Sequence, residues 1–117
     1  MKNIGEGSAW SDKVSIALGE QVSSVLDTRG GTVVGFVFPA TMTGTTVTFK
    51  AGVLSNGSDA VPVVDDAGSD VSVTVTESSA VGLSAAKMAI LSAFRYISLV
   101  SGSAELAARE IRVAVKG

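Results

Sequence analysis

Apolar and polar residues alternate with period two along much of this chain. In "DVSVTVT", Asp70 to Thr76, the residues Val71, Val73 and Val75 fall on one face and Ser72, Thr74 and Thr76 on the other, the pattern of a strand with one dry and one wet side. "KVSIAL" (Lys13 to Leu18), "TVTFKAGVL" (Thr46 to Leu54), "FRYISLVS" (Phe94 to Ser101) and "EIRVAV" (Glu110 to Val115) repeat it, in Val- and Thr-rich stretches that suit a pleated surface. "TVVGFVF" (Thr32 to Phe38) is apolar throughout and predicts a strand covered on both faces or turned toward a partner. Pro39 has no N–H to donate and should end that strand, while Val47 and Phe49 should point into the core.

Turn signals separate these runs: "TRGG" (Thr28 to Gly31), "TMTGT" (Thr41 to Thr45), "SNGSD" (Ser55 to Asp59), "DDAGSD" (Asp65 to Asp70) and "SGSAE" (Ser101 to Glu105). Asn56-Gly57 supplies the positive φ angles of a tight hairpin. Many short strands with regularly spaced turns predict a β-sandwich or barrel. One segment departs from the pattern. "SAAKMAILSA", Ser84 to Ala93, is rich in helix formers, opens on a candidate Ser84 N-cap, and spaces Met88 and Leu91 at i, i+3 and Ile90 and Phe94 at i, i+4, which predicts a short helix closing one end of the sandwich.

Composition narrows the function. The chain has 117 residues with 46% hydrophobic, enough for one packed core without disulfides or metals. We read residues 1–12 as an N-terminal arm and residues 13–117 as a single β-sandwich domain. The net charge is −2 and the 9 basic residues are scattered along the sequence, so no basic stripe for a nucleic-acid backbone is read and no nucleic-acid partner is expected. No apolar run approaches the roughly 20 residues of a bilayer span, and the N-terminus lacks the apolar stretch of a secretory signal, so no membrane partner is expected. Charged residues make up only 17%, below the ~25% usual for globular domains, which suggests a surface partly hidden against a partner.

Candidate chemistry is sparse. The chain has no His and no Cys, which removes His-dependent triads and Cys nucleophiles, and no cofactor is expected. Asp65, Asp66 and Asp70 could in principle hold calcium, but they lack the spacing of a calcium loop and read as a solvated hairpin. Glu77, Glu105 and Glu110 show no pairing suited to glycoside hydrolysis and read as surface charge. The four Phe residues at 36, 38, 49 and 94 lie on apolar-patterned stretches and are assigned to the core. Trp10 remains, in a leader whose other apolar residues are Met1, Ile4 and Ala9. Either it folds back to plug the sandwich, or it docks in a neighbouring subunit, as Trp often does at interface hot spots.

"VVGFVFPATMTGTTVTFKAGVLSNGSDAVPVVDDAGSDVSVTV" followed by "LSAFRYISLVSGSAELAAREIRVAV" resembles a group of small tailed-bacteriophage virion proteins, the capsid decoration proteins, also called cement or staple proteins. The matching positions are Phe38, Pro39, Thr48, Phe49, Asn56, Gly57, Asp65, Asp66, Gly68, Arg95, Tyr96, Leu99, Ser101, Gly102, Ala107, Ala108 and Arg109. Where that pattern often has a doubled Gly and an aromatic after the hairpin, this chain has Ser58, Asp59, Ala60 and Val61. The resemblance implies an all-β, jelly-roll-like antiparallel β-sandwich with one short helix near residues 84–93 and an extended N-terminal arm. It also implies a non-enzymatic virion protein on the capsid exterior, assembled in the host cytoplasm, that binds the major capsid protein and cements neighbouring subunits as a homodimer or homotrimer. The interface expected for that role takes Ile4, Trp10, Lys13 and Arg29. The alternative is a β-sandwich binding module, a head knob or tail component, recognising host surface glycans.

Overall fold

Where the alternation is longest, the chain forms strands. The computed structural model describes residues 9–117, which fold as β1 (Ala9–Ile16), β2 (Leu26–Asp27), β3 (Thr32–Val37), β4 (Thr46–Gly52), β5 (Val61–Pro62), β6 (Val73–Thr74), β7 (Ala80–Gly82), α1 (Ala85–Leu91), β8 (Tyr96–Ser101) and β9 (Arg109–Lys116). Two antiparallel sheets pack as a sandwich. The first has the order β1-β9-β3-β7 and the second β2-β8-β4-β5, with β6 also paired to β4. β1 packs against β2 at one flank, so β5, β6 and β7 form the other.

The inward phase of each strand builds one core. Val14 and Ile16 of β1, Val33 and Phe36 of β3, Val47, Phe49 and Ala51 of β4, Ile97 and Leu99 of β8, and Ile111, Val113 and Val115 of β9 are all buried. Phe36 lies between Phe38 and Phe49, with ring centroids 6.1 and 5.8 Å away. β3 is apolar on both faces because α1 packs against it, although Val37, at its end, is exposed. Helix α1 has the expected cap, with the Lys87 N–H donating to Ser84 Oγ, and Leu91 enters the core.

Several elements differ from the sequence reading. The arm does not extend to residue 12: β1 begins at Ala9 and pairs with β9 from Ala9↔Lys116 to Ile16↔Arg109. Asp12 shares the parity of Trp10, Val14 and Ile16, and this one polar residue interrupts an inward pattern that the strand nevertheless continues. "DVSVTVT" keeps Val71 and Val73 buried, yet only Val73–Thr74 form a strand; the Val71 and Val75 amides donate to Val63 and Thr45 instead. Asn56 does not take a positive φ. Gly57 alone does, at 74°, while Asn56 Oδ1 accepts the Ser58 N–H. Phe94 is 37% exposed rather than in the core, because it follows the end of α1 and precedes β8.

The largest departure is Glu105, which is 0% exposed. Both of its oxygens are saturated. Oε1 accepts from the Thr43 N–H and from Arg109 Nε, each at 2.9 Å, and Oε2 accepts from the Gly44 N–H at 2.9 Å and Ser101 Oγ at 2.6 Å. Its backbone joins a further loop, with Gly19 N–H donating to Glu105 O and Glu105 N–H to Glu20 O. Arg109 Nη2 also reaches Thr43 Oγ1 at 3.3 Å. Gly44 permits this approach, because a Cβ there would collide with Ser101 Oγ.

Burial alone would push the Glu105 carboxyl up, but the hydrogen bonds from Ser101, Thr43, Gly44 and Arg109 together hold it down at about 2, against an ordinary 4.5. A carboxyl depressed on folding adds stability that is complete above its unfolded pKa and is lost as pH falls toward the folded one. The shift corresponds to about 3 kcal/mol. We predict that Glu105→Gln lowers unfolding free energy in urea by about that much at neutral pH, and that the gap to the wild type narrows as pH falls from about 4.5 toward 2. A gap that stays constant with pH would contradict this account of the carboxylate.

Candidate functional site: a ribbon of aromatic and guanidinium groups

The turn from β2 to β3 passes from one sheet to the other through Thr28–Gly31. Its central residues, Arg29 and Gly30, have φ of 53° and 79°, and the Gly31 N–H donates to Thr28 O at 2.8 Å, as in a mirror-image tight turn. Glycine meets this demand at no steric cost, whereas arginine in the left-handed region costs roughly 1 kcal/mol. The strained residue is held by its neighbours. Asp27 Oδ1 accepts the Arg29 N–H at 2.8 Å, and the Arg29 guanidinium lies 4.8 Å from the centroid of the Trp10 ring.

Asp27 also receives a forked contact from Arg95, Nε to Oδ1 at 2.9 Å and Nη2 to Oδ2 at 3.2 Å. Arg95 in turn lies 5.2 Å from the centroid of Tyr96. The sheet register fixes this spacing, because Asp27 pairs with Tyr96 and the Thr28 N–H donates to Arg95 O. The result is a continuous ribbon, Trp10, Arg29, Asp27, Arg95 and Tyr96, at the end of the sandwich, with half-exposed Phe94 next to it in sequence. The Arg95 fork, and then the Arg29 amide, hold the Asp27 carboxyl below its usual range, and Asp27 raises Arg95.

The fold needs little of this. Exposed cation–π pairs contribute roughly 0.5–1 kcal/mol each, and an exposed ion pair typically contributes between 0 and about 1. Trp, Tyr and Arg are, however, the residues that dominate binding energy at protein interfaces. A ribbon made of them, organised around one strained turn, has the residue composition of an interface.

Of the expected interface residues, the structure brings Trp10 and Arg29 together. Trp10 is half-buried and packs against the core, so it plugs the sandwich while carrying the Arg29 guanidinium over its ring. Lys13 lies apart, on the outward face of β1, with Nζ 3.7 Å from Glu110 Oε2. Ile4 falls outside the described residues. Asp27 was missed, since a lone Asp before a turn gives no sign that two arginines will meet on it. Neither aromatic forms an open platform for a sugar ring, because each carries a guanidinium on one face.

The other candidates serve the fold. Asp65 Oδ1 accepts the Ala67 and Ser69 amides, and Gly68 takes the positive φ of the turn. Asp59 accepts the Val53 and Leu54 amides. Among the described residues, no group of three acidic, His or Cys side chains is placed to hold a metal ion. Comparison of the chain with protein-family models, with curated proteins and with solved structures found no match in any of the three.

Trp10 is the one tryptophan of the chain, so its fluorescence reports on the ribbon. Arg29→Ala should uncover the ring, red-shifting emission and increasing quenching by acrylamide, with a loss of stability of no more than about 1 kcal/mol. Unchanged quenching would mean that Arg29 does not cover the ring in solution.

Proposed function

We propose that this protein is a structural component of a tailed-phage virion, binding the outer surface of the capsid and cementing neighbouring copies of the major capsid protein. The role is non-catalytic. The observation that carries it is that one rigid sandwich exposes two adhesive surfaces at opposite ends. At one end lies the Trp10 to Tyr96 ribbon. At the other, Leu18 is 67% and Leu106 77% exposed, on segments clamped together by the hydrogen bonds between Gly19, Glu20 and Glu105. Trp10 and Ile16 on β1 alone are separated by about 20 Å at ~3.3 Å per residue. A cement must touch two neighbours at once, and a block sticky at both ends meets that requirement.

Two further points support the reading. The resemblance to capsid decoration proteins includes Arg95 and Tyr96, which lie in the ribbon, and Ser101 and Arg109, which hold Glu105. The sandwich of two antiparallel sheets, ordered β1-β9-β3-β7 and β2-β8-β4-β5, is compatible with the jelly roll that the resemblance implies, an architecture used by viral capsid proteins. Such a protein needs no chemistry. Binding that only the assembled shell offers stabilises the shell by mass action.

The test is co-sedimentation of the full chain with empty shells assembled from the major capsid protein of the phage that carries its gene, followed by heating of the decorated shells. We predict saturable binding and a raised shell disruption temperature. Trp10→Ala combined with Arg95→Ala should weaken binding at least tenfold, about 1.4 kcal/mol, while the isolated protein stays folded. Leu106→Asp should permit binding but reduce shell stabilisation. Absence of binding to shells, or binding to a glycan array that Tyr96→Ala abolishes, would overturn the proposal.

A further inference from the structure

The modest net charge conceals a strong asymmetry. Between Lys50 and Lys87 the chain carries Asp59, Asp65, Asp66, Asp70 and Glu77 and no cation. That segment therefore bears −5, leaving +3 on the rest of the chain to give the whole-chain −2. The fold places the segment together, as β5, β6, β7 and their loops on one flank of the sandwich. From it the hairpin 65–69 projects, closed by the bridge of Val64 to Asp70, with Asp66 and Asp70 exposed.

The outward face of β1 and β9, toward the other flank, carries a cationic excess, with Lys13, Arg112 and Lys116 against Glu110 and the adjacent Asp12. The register places Lys13 directly across from Arg112, and Lys116 lies on the same outward parity of β9. Like charges directly opposed across strands destabilise a sheet, and of the carboxylates nearby only Glu110 reaches one of these cations, Lys13. Asp12, which together with Ser11, Lys13 and Arg112 lines a shallow depression of about 230 Å³, is turned onto its own strand and accepts the Lys13 N–H. The face is not flat throughout, because α1 packs against β3 beside a hollow of about 400 Å³ lined by Thr32, Val34, Met88 and Lys116. Its central row, Ser11, Ala114, Gly35 and Gly82, holds no side chain longer than a hydroxymethyl.

We infer that this basic face, formed by β1 and β9, binds the acidic flank of a second copy of the same chain, head to tail. Charge complementarity selects the occupant, because the protein itself carries a patch of the required sign on the flank of β5, β6 and β7, across the sheet from β1. The two patches differ, so the contact is heterologous and either closes into a ring or continues from copy to copy. The two eight-residue strands β1 and β9 cover about 250 Å², well short of the ~800 Å² per partner of a standard stable interface. The contact is accordingly weak between dissolved molecules and gains strength where copies are held side by side.

Sedimentation equilibrium of the full chain at about 20 mM and about 500 mM salt, where screening lengths differ severalfold, tests this apart from any capsid, so its failure would leave the cement role standing. The wild type should self-associate at low salt and dissociate at high salt. Lys13→Glu with Arg112→Glu, and separately Asp66→Lys with Asp70→Lys, should each remain monomeric with an unchanged far-ultraviolet spectrum. Mixing the two variants should restore association, because each then offers what the other lacks. A wild type that is monomeric at low salt, a variant that associates as the wild type does, or a mixture that stays monomeric would each overturn the inference.

Discussion

The structure depends most on one buried carboxylate. Glu105 binds two loop amides, a hydroxyl and a guanidinium with its side chain and a further loop with its backbone. Through these contacts the crossing from β3 to β4, the end of β8 and the start of β9 meet at one point. A buried ion pair need not add stability over an apolar substitute, and its value here is positional. Loops connecting two sheets have few backbone partners of their own, and an anion aimed at their amides supplies them. Losing one partner leaves a charge or several amides unsatisfied in the interior, so the arrangement is held as a whole.

That fixed end gives the opposite end its meaning. Sheets registered over eight residues, as β1 and β9 are, transmit position along their length, so the ribbon at Trp10 and the leucines at 18 and 106 sit on one rigid body. The two ends overlap in physics, since Val53 and Leu54, 81% and 49% exposed, lie at the ribbon end, where Gly52 pairs with Tyr96. The leucine end is apolar and exposed, and would be driven by removal of surface from water. The ribbon combines aromatic faces with guanidinium groups around Asp27, which favours a partner of defined shape and charge. Binding through both would fix orientation as well as proximity.

The strands were legible in the sequence wherever a period-two pattern ran unbroken, as at Thr46 to Gly52, and so was the Ser84 cap of α1. The pattern failed at particular residues. Asp12 broke the alternation of a strand that its long partner β9 nevertheless holds, and Val71 to Val75 alternated correctly at a sheet edge where few ladder bonds form. Glu105 was illegible because nothing local distinguishes a carboxylate that will be buried from a solvated one; its partners come from positions 43, 44, 101 and 109. Trp10 and Arg29 could be singled out as residue types, while the Asp27 that couples Arg29 to Arg95 is visible only once β2 pairs with β8.

Charge shows the same limit from the other direction. The absence of any cation between Lys50 and Lys87 can be read directly from the sequence, yet on its own it could describe charge spread around the whole molecule. The topology gives it a direction, because the strands of that segment, β5, β6 and β7, lie at the edges of their sheets on the same flank, while β1 and β9 carry Lys13 and Arg112 on a face turned elsewhere. A net charge near zero ordinarily favours association, and a separation of sign across the body determines which surfaces meet. The inward valines of the strands need only their period to find their places, whereas the charges of this protein are separated in space by the order in which the strands are laid side by side.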